Sequence, residues 1–195
     1  GYGWPVQERA WVNPSPNAAS LNMARCFGGT VMIEGTTLSE GRGTTRALEV
    51  IGAPDLNSND LIEEMYRLAP DWLAGCKLRP AWFEPTFHKH AGKLCEGFQI
   101  HAEMEFYDPS VFKSWRVTAL ALKAIRRLYP DYPIWRGLEF KYEYTEGHPA
   151  IDIINGSDEL RLWVDDATAT PGDLQTALDK DLSAWAEVSR GYHLY

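Results

Sequence analysis

Between Glu34 and Arg46 the chain gathers two carboxylates, Glu34 and Glu40, two guanidinium groups, Arg42 and Arg46, and the hydroxyls of Thr36, Thr37, Thr44 and Thr45. Glycines at 35, 41 and 43 punctuate the run and let the backbone turn tightly or approach a ligand. Charged, hydrogen-bonding side chains on a glycine-bent loop suit a polar, anionic ligand, and Arg can grip a carboxylate with two parallel hydrogen bonds where Lys cannot. The same residues could instead form an Arg–Glu network that only holds the loop together. No Gly-Lys-Ser/Thr ending follows, so this is not a phosphate loop.

Trp82-Phe83-Glu84-Pro85-Thr86-Phe87-His88-Lys89-His90 is the second candidate segment. Rings beside polar groups can line a sugar site, although each of Trp82, Phe83 and Phe87 taken alone also fits core packing. His88 and His90, with Cys95 and His101 beyond, lack the matched carboxylate of a metal site, and no metal or other cofactor is expected. No Gly-x-Ser-x-Gly is present and no Cys has the setting of an activated nucleophile. Cys26, Cys76 and Cys95 match no zinc spacing and read as buried thiols, with a Cys76–Cys95 bridge open. Asp165-Asp166 reads as an element end, and Glu63-Glu64 as a wet helix face.

These segments need a scaffold. With 195 residues the chain suits one domain, and its 45% hydrophobic and 24% charged content is that of an ordinary globular protein. A formal net charge of -8 without a basic run argues against nucleic acid, and Lys123, Arg126 and Arg127 read as the wet face of a helix. No apolar run is long enough to span a bilayer.

Trp11-Val12-Asn13-Pro14-Ser15-Pro16-Asn17 reads as an extended strap, its prolines withholding backbone donors. A short helix over Ser20 to Phe27 follows, then a buried strand at Val31-Met32-Ile33, and a strand-like run from Ala47 to Gly52. Ser58 caps a helix carrying Leu61, Ile62, Met65 and Leu68. Asp108-Pro109 opens another that buries Val111, Trp115, Leu122 and Ile125. Thr170-Pro171-Gly172-Asp173 starts a third, with Leu174, Leu178, Leu182, Trp185 and Val188 inward. Strands are expected at Leu78 to Phe83 and, half exposed, at Phe98 to Met104. The sum is an α+β domain with a small mixed or antiparallel sheet and about three main helices packed against it.

Several of these stretches together resemble the exo-β-N-acetylmuramidases, long classed as a domain of unknown function. They are the Trp11–Asn17 strap, the whole Glu34–Arg46 loop, Ile51-Gly52-Ala53-Pro54 and Phe83-Glu84-Pro85-Thr86-Phe87. Gly92 to Gly97 around Cys95, Leu128-Tyr129-Pro130 and Arg190-Gly191-Tyr192-His193-Leu194-Tyr195 complete the set. The loop is the specific motif; Ala47, where a proline is expected, and the stretch Ile134 to Tyr144 depart from the pattern. The resemblance implies a two-domain protein, an N-terminal Rossmann-like domain followed by this α+β domain, with the active site in the cleft between them. Residues 1–17 would then be the junction and 18–195 the domain. It further implies metal-free removal of terminal N-acetylmuramic acid from peptidoglycan fragments, in the periplasm or outside a bacterial cell. Under it, Glu40 and Glu34 are supporting catalytic carboxylates, and Arg42, Arg46, Thr44, Thr45, Asn13, Phe87 and His90 contact the sugar. The other essential carboxylate would sit on the partner domain. A non-catalytic module for cell-wall glycans and a purely structural scaffold are the alternatives.

Overall fold

The computed structural model describes residues 10–142 and 146–193. Among these, three strands and six α-helices form an antiparallel sheet with helices against one face, the α+β arrangement expected. The strands are β1 (Val50–Ala53), β2 (Lys77–Phe83) and β3 (Cys95–His101), in the order β1-β3-β2. Register places Ile51 opposite Phe98 and Leu78 opposite Ile100, so these side chains share the face turned to the core. The other face carries Val50, Gln99, Arg79 and Phe83, and the glycine loop reaches it through the bridge of Ser39 to Gly52. β2 is an edge strand and holds Pro80 at its middle, where a missing N–H is tolerated.

α3 (Ser114–Leu128) is the central helix, with every residue from Val117 to Ile125 buried, and it packs on α1 (Leu21–Thr30), α2 (Ser58–Leu68) and α5 (Glu159–Asp165). Lys123 therefore does not lie on a wet face. It is buried, and its Nζ donates to Trp163 O at 2.7 Å, stopping the C-terminal end of α5. α3 begins at Ser114, later than Asp108-Pro109 suggested; Asp108 caps a turn by accepting from Ser110 N at 2.9 Å, so Val111 is exposed and Phe112 buried in its place.

Val31–Gly35 is a 3-10 turn continuing α1, not a strand. The apolar run is too short to fix its own period, and Gly35 lets α4 (Ala150–Asn155) close on it: a Cβ there would meet Ile151 Cα at 2.6 Å. Asn57, not Ser58, caps α2, accepting from the N–H groups of Asn59 and Asp60, while Ser58 donates to Glu96. β3 is central, so Gln99 is buried as well as Phe98 and Ile100, and the strand ends at His101 because Met104 turns with φ 53°.

α6 (Pro171–Arg190) opens with the expected capping box of Thr170 and Asp173. Only its first turns meet the core. Leu174 is buried and Leu178 partly so, but Leu182, Trp185 and Val188 stand in solvent instead of facing inward. The three cysteines are free thiols, which leaves no Cys76–Cys95 bridge. Residues 10–17 run without helix or strand; residues 1–9, the rest of the expected junction, and the chain's last two residues lie outside the described residues.

Candidate functional site

The loop folds inward at its centre. Glu40 is 1% exposed, and its carboxylate takes Arg42 Nε on Oε1 at 2.9 Å and the Lys89 ammonium beside Oε2 at 2.9 Å. Burial pushes this carboxyl up, but Lys89 and Arg42 together outweigh burial and hold it below its ordinary value. For Lys89 burial is the larger influence and lowers its pKa, with Glu40 opposing. An ion pair at this distance keeps both groups charged at neutral pH.

The backbone around Lys89 is bent to bring it there. His88 and His90 both adopt the left-handed region, with φ 64° and 58°, and the lysine between them turns inward to reach Thr36 O at 3.2 Å as well as Glu40. His90 Nε2 donates to Thr37 O at 2.9 Å, and burial lowers its pKa, so the ring is neutral at pH 7. The two loops interlock further on. Thr86 N donates to Arg42 O at 3.0 Å, and a Cβ on Gly43 would stand 1.8 Å from Thr86 Oγ1.

Arg42 leads from this buried centre to the surface. Its side chain is 15% exposed, and beyond Glu40 its Nη2 donates to Glu34 Oε1. Glu34, 27% exposed, also accepts from the Tyr142 hydroxyl on Oε2 at 3.3 Å. Arg136 lies near enough that Glu40 and Glu34 favour its charge, although burial lowers its pKa more strongly. Among the described residues nothing bonds to Arg42 Nη1.

Glu34 and Arg42 form the polar end of a cavity of about 380 Å3, within the roughly 300–1,000 Å3 of small-molecule clefts. Trp11 and Phe27, each partly exposed, wall it together with Met23 and Leu48. A hydrogen bond from Trp11 Nε1 to Ala18 O at 3.1 Å fixes the indole. Two aromatic walls over a carboxylate and a guanidinium can hold a pyranose by its apolar faces while polar groups read its hydroxyls and substituents. Phe27 went unnoticed in the sequence because it sits in an ordinary helix; its only local signal is a large ring on a side of α1 turned from the core.

The remaining expected residues do not share this cavity. Thr44, Thr45 and Arg46 border a separate depression with Arg79 and Trp82, and Arg46 donates to the buried Glu49 at 3.1 Å. Phe87 packs edge-on to His88 and close over Gly43. Asn13 is exposed on the strap beside the cavity residues Trp11, Pro14 and Ser15. Among the described residues no group of His, Cys, Asp and Glu could hold a metal.

Residues 25–195 match the family model described as "Exo-beta-N-acetylmuramidase NamZ, C-terminal". The chain belongs to this family. It is 31% identical over 185 residues to the peptidoglycan β-N-acetylmuramidase NamZ of Bacillus subtilis strain 168, covering 95% of this chain and 40% of that protein. Two crystal structures of DUF1343 family proteins from Bacteroides fragilis NCTC 9343 share the fold. One matches with TM-score 0.73 at 20% identity over 97% of this chain and 47% of its own. The other matches with TM-score 0.61 at 18% identity over 94% and 43%. The chain thus spans less than half the length of the relatives it matches. Among the described residues no helix is long and apolar enough to cross a membrane.

Proposed function

We propose that this NamZ-family domain supplies one wall of the active-site cleft of a peptidoglycan exo-β-N-acetylmuramidase, and that the Trp11–Phe27 cavity receives the terminal N-acetylmuramic acid. The observation that carries the reading is the Glu34–Arg42 pair at the end of an aromatic-walled cavity. N-acetylmuramic acid bears a lactyl carboxylate that N-acetylglucosamine lacks, and the unengaged face of Arg42 is the cation suited to it. Glu34 is the carboxylate that reaches the cavity and takes the role of orienting sugar hydroxyls or exchanging a proton. Glu40 touches no ligand in this scheme; it positions Arg42 from below. Hydrolysis of a glycoside ordinarily uses two carboxyl groups on opposite sides of the bond. The second one belongs to an upstream Rossmann-like domain, to which the 1–17 strap is the junction, so this domain alone is inactive. Such a protein works where peptidoglycan fragments occur, outside the cytoplasmic membrane.

The test is release of N-acetylmuramic acid from a disaccharide that carries it at the non-reducing end. The full-length protein is expected to cleave, and the 195-residue domain not to. Glu34→Gln should lower kcat/KM about 10²–10⁴-fold as a proton-transfer group does. Arg42→Ala should lower it by about 10- to 100-fold, with most of the loss specific to the lactyl-bearing sugar. Full activity in both variants overturns the assignment. Tight saturable binding by the isolated domain without any turnover in the full-length protein would favour a glycan-binding module instead.

A further inference from the structure

We infer that the depression on the other side of the loop, framed by Arg46, Arg79 and Trp82, is a second subsite that takes another carboxylate of the same ligand. It measures about 390 Å3 and is also bordered by Thr45, Phe83 and Gln99.

Its charge is built in. Glu49 lies 1% exposed beneath it and is fully engaged, accepting from Asn22 at 2.9 Å, Gln99 at 3.2 Å, Arg46 at 3.1 Å and the Ser20 hydroxyl. That carboxylate balances Arg46, whose side chain remains 48% exposed. Arg79 has no such balance. Its one hydrogen bond, Nη2 to Gln99 Oε1 at 3.2 Å, goes to a neutral amide, and among the described residues it meets no carboxylate. An exposed guanidinium with spare donors, lining the same depression as a second, half-open guanidinium, makes an anion site, and a carboxylate is the group its fork geometry fits. Phe83, on the same sheet face as Arg79 and Gln99, supplies an aromatic wall of the depression for whatever carries that carboxylate.

The depression adjoins the proposed muramic acid cavity. Leu48 walls the first cavity and Arg46 the second, and residues two apart in a chain are at most about 7 Å from each other. A ligand larger than one sugar is therefore long enough to reach from one to the other. The inference rests on the reading of the first cavity given above, and it adds that the enzyme recognises its substrate beyond the terminal sugar. In a peptidoglycan fragment the second carboxylate is either the free lactyl group of the next muramic acid or a carboxylate of the stem peptide that amidates that group.

The experiment compares three substrates in the full-length protein: a peptide-free disaccharide, a peptide-free tetrasaccharide, and a tetrasaccharide whose second muramic acid alone bears a stem peptide. In the Arg79→Gln variant, kcat/KM for one of the two larger substrates, relative to the disaccharide, should fall about tenfold, mainly through KM. Arg46→Gln should move the same ratio in the same direction. A fall for the peptide-free tetrasaccharide assigns the lactyl group; a fall for the peptide-bearing one assigns the stem. Unchanged ratios in both arms, with the disaccharide still cleaved, overturn the second subsite and leave the first reading standing. Should the parent protein cleave none of them, calorimetric titration of the larger two decides: a tenfold affinity loss in Arg79→Gln supports the subsite, and equal affinity overturns it.

Discussion

The Nε of Arg42 donates to Glu40 Oε1 at 2.9 Å from above while the Lys89 ammonium stands 2.9 Å from the other oxygen. A carboxylate with cations on both sides and almost no solvent acts as a fixed mount, and Arg42 carries that fixity to Glu34 at the cavity. Removing the upper cation should show this. Arg42→Ala is expected to destabilise by about 2–4 kcal/mol, less than the roughly 3–5 for a wholly orphaned buried charge because Lys89 remains. Arg42→Lys should recover part of the stability but little sugar release, since one ammonium cannot fork between two carboxylates. Urea unfolding alongside the release assay separates the two effects.

Lys89 and Glu40 should be energetically coupled. A double-mutant cycle with Lys89→Met and Glu40→Gln is expected to give a favourable interaction of about 1–3 kcal/mol. Additive single effects would mean that the pair contributes nothing beyond its separate parts.

Acid should loosen the domain through the same carboxylate. Glu40 has its pKa held below the ordinary 4.5 in the folded protein, so folding gains stability from it above that value. The gain disappears as pH falls below 4.5 and through the lower folded value. Stability measured from pH 6 down to about 3 should drop less steeply in Glu40→Gln than in the parent. Identical slopes would remove Glu40 from the acid response.

His88 is in the left-handed region with φ 64° and is exposed. His88→Gly should raise stability by about 0.5–1 kcal/mol, the relief of left-handed strain being larger than the entropy cost of glycine. His90, at φ 58°, should not gain in the same way, because its ring also bonds to Thr37 O. Thermal melts of the two glycine variants give the comparison.

Trp185 is 67% exposed, so Trp185→Ser should shift the stability of this domain by no more than about 0.5 kcal/mol. A loss of several kcal/mol would mean that the second half of α6 folds back on the core.

The sequence made the sheet, the main helices and the turns of the 34–46 loop legible, because glycine spacing, capping residues and apolar period are local signals. Whether a charged loop residue faces in or out is not local. Glu40 is buried because Lys89 arrives from another loop, and Lys123 is buried because the carbonyl ends of α5 need a donor. Nor could spacing show that Arg42 and Arg46 serve different depressions, since it is the turn at Gly43 and the pull of Glu49 that part them. The stripe on α6 was read with the right period; burial ends after Leu178 because no element among the described residues covers Leu182 or Trp185.

Pro80 sits halfway along the free edge of β2, and Lys77 and Arg79 precede it. An incoming strand seeking to zip onto that margin would find a donor missing from the middle of the row and positive side chains along its first half. Self-association by sheet extension is thereby discouraged on this flank, and the rim that holds Arg79 and Trp82 stays open to small solutes.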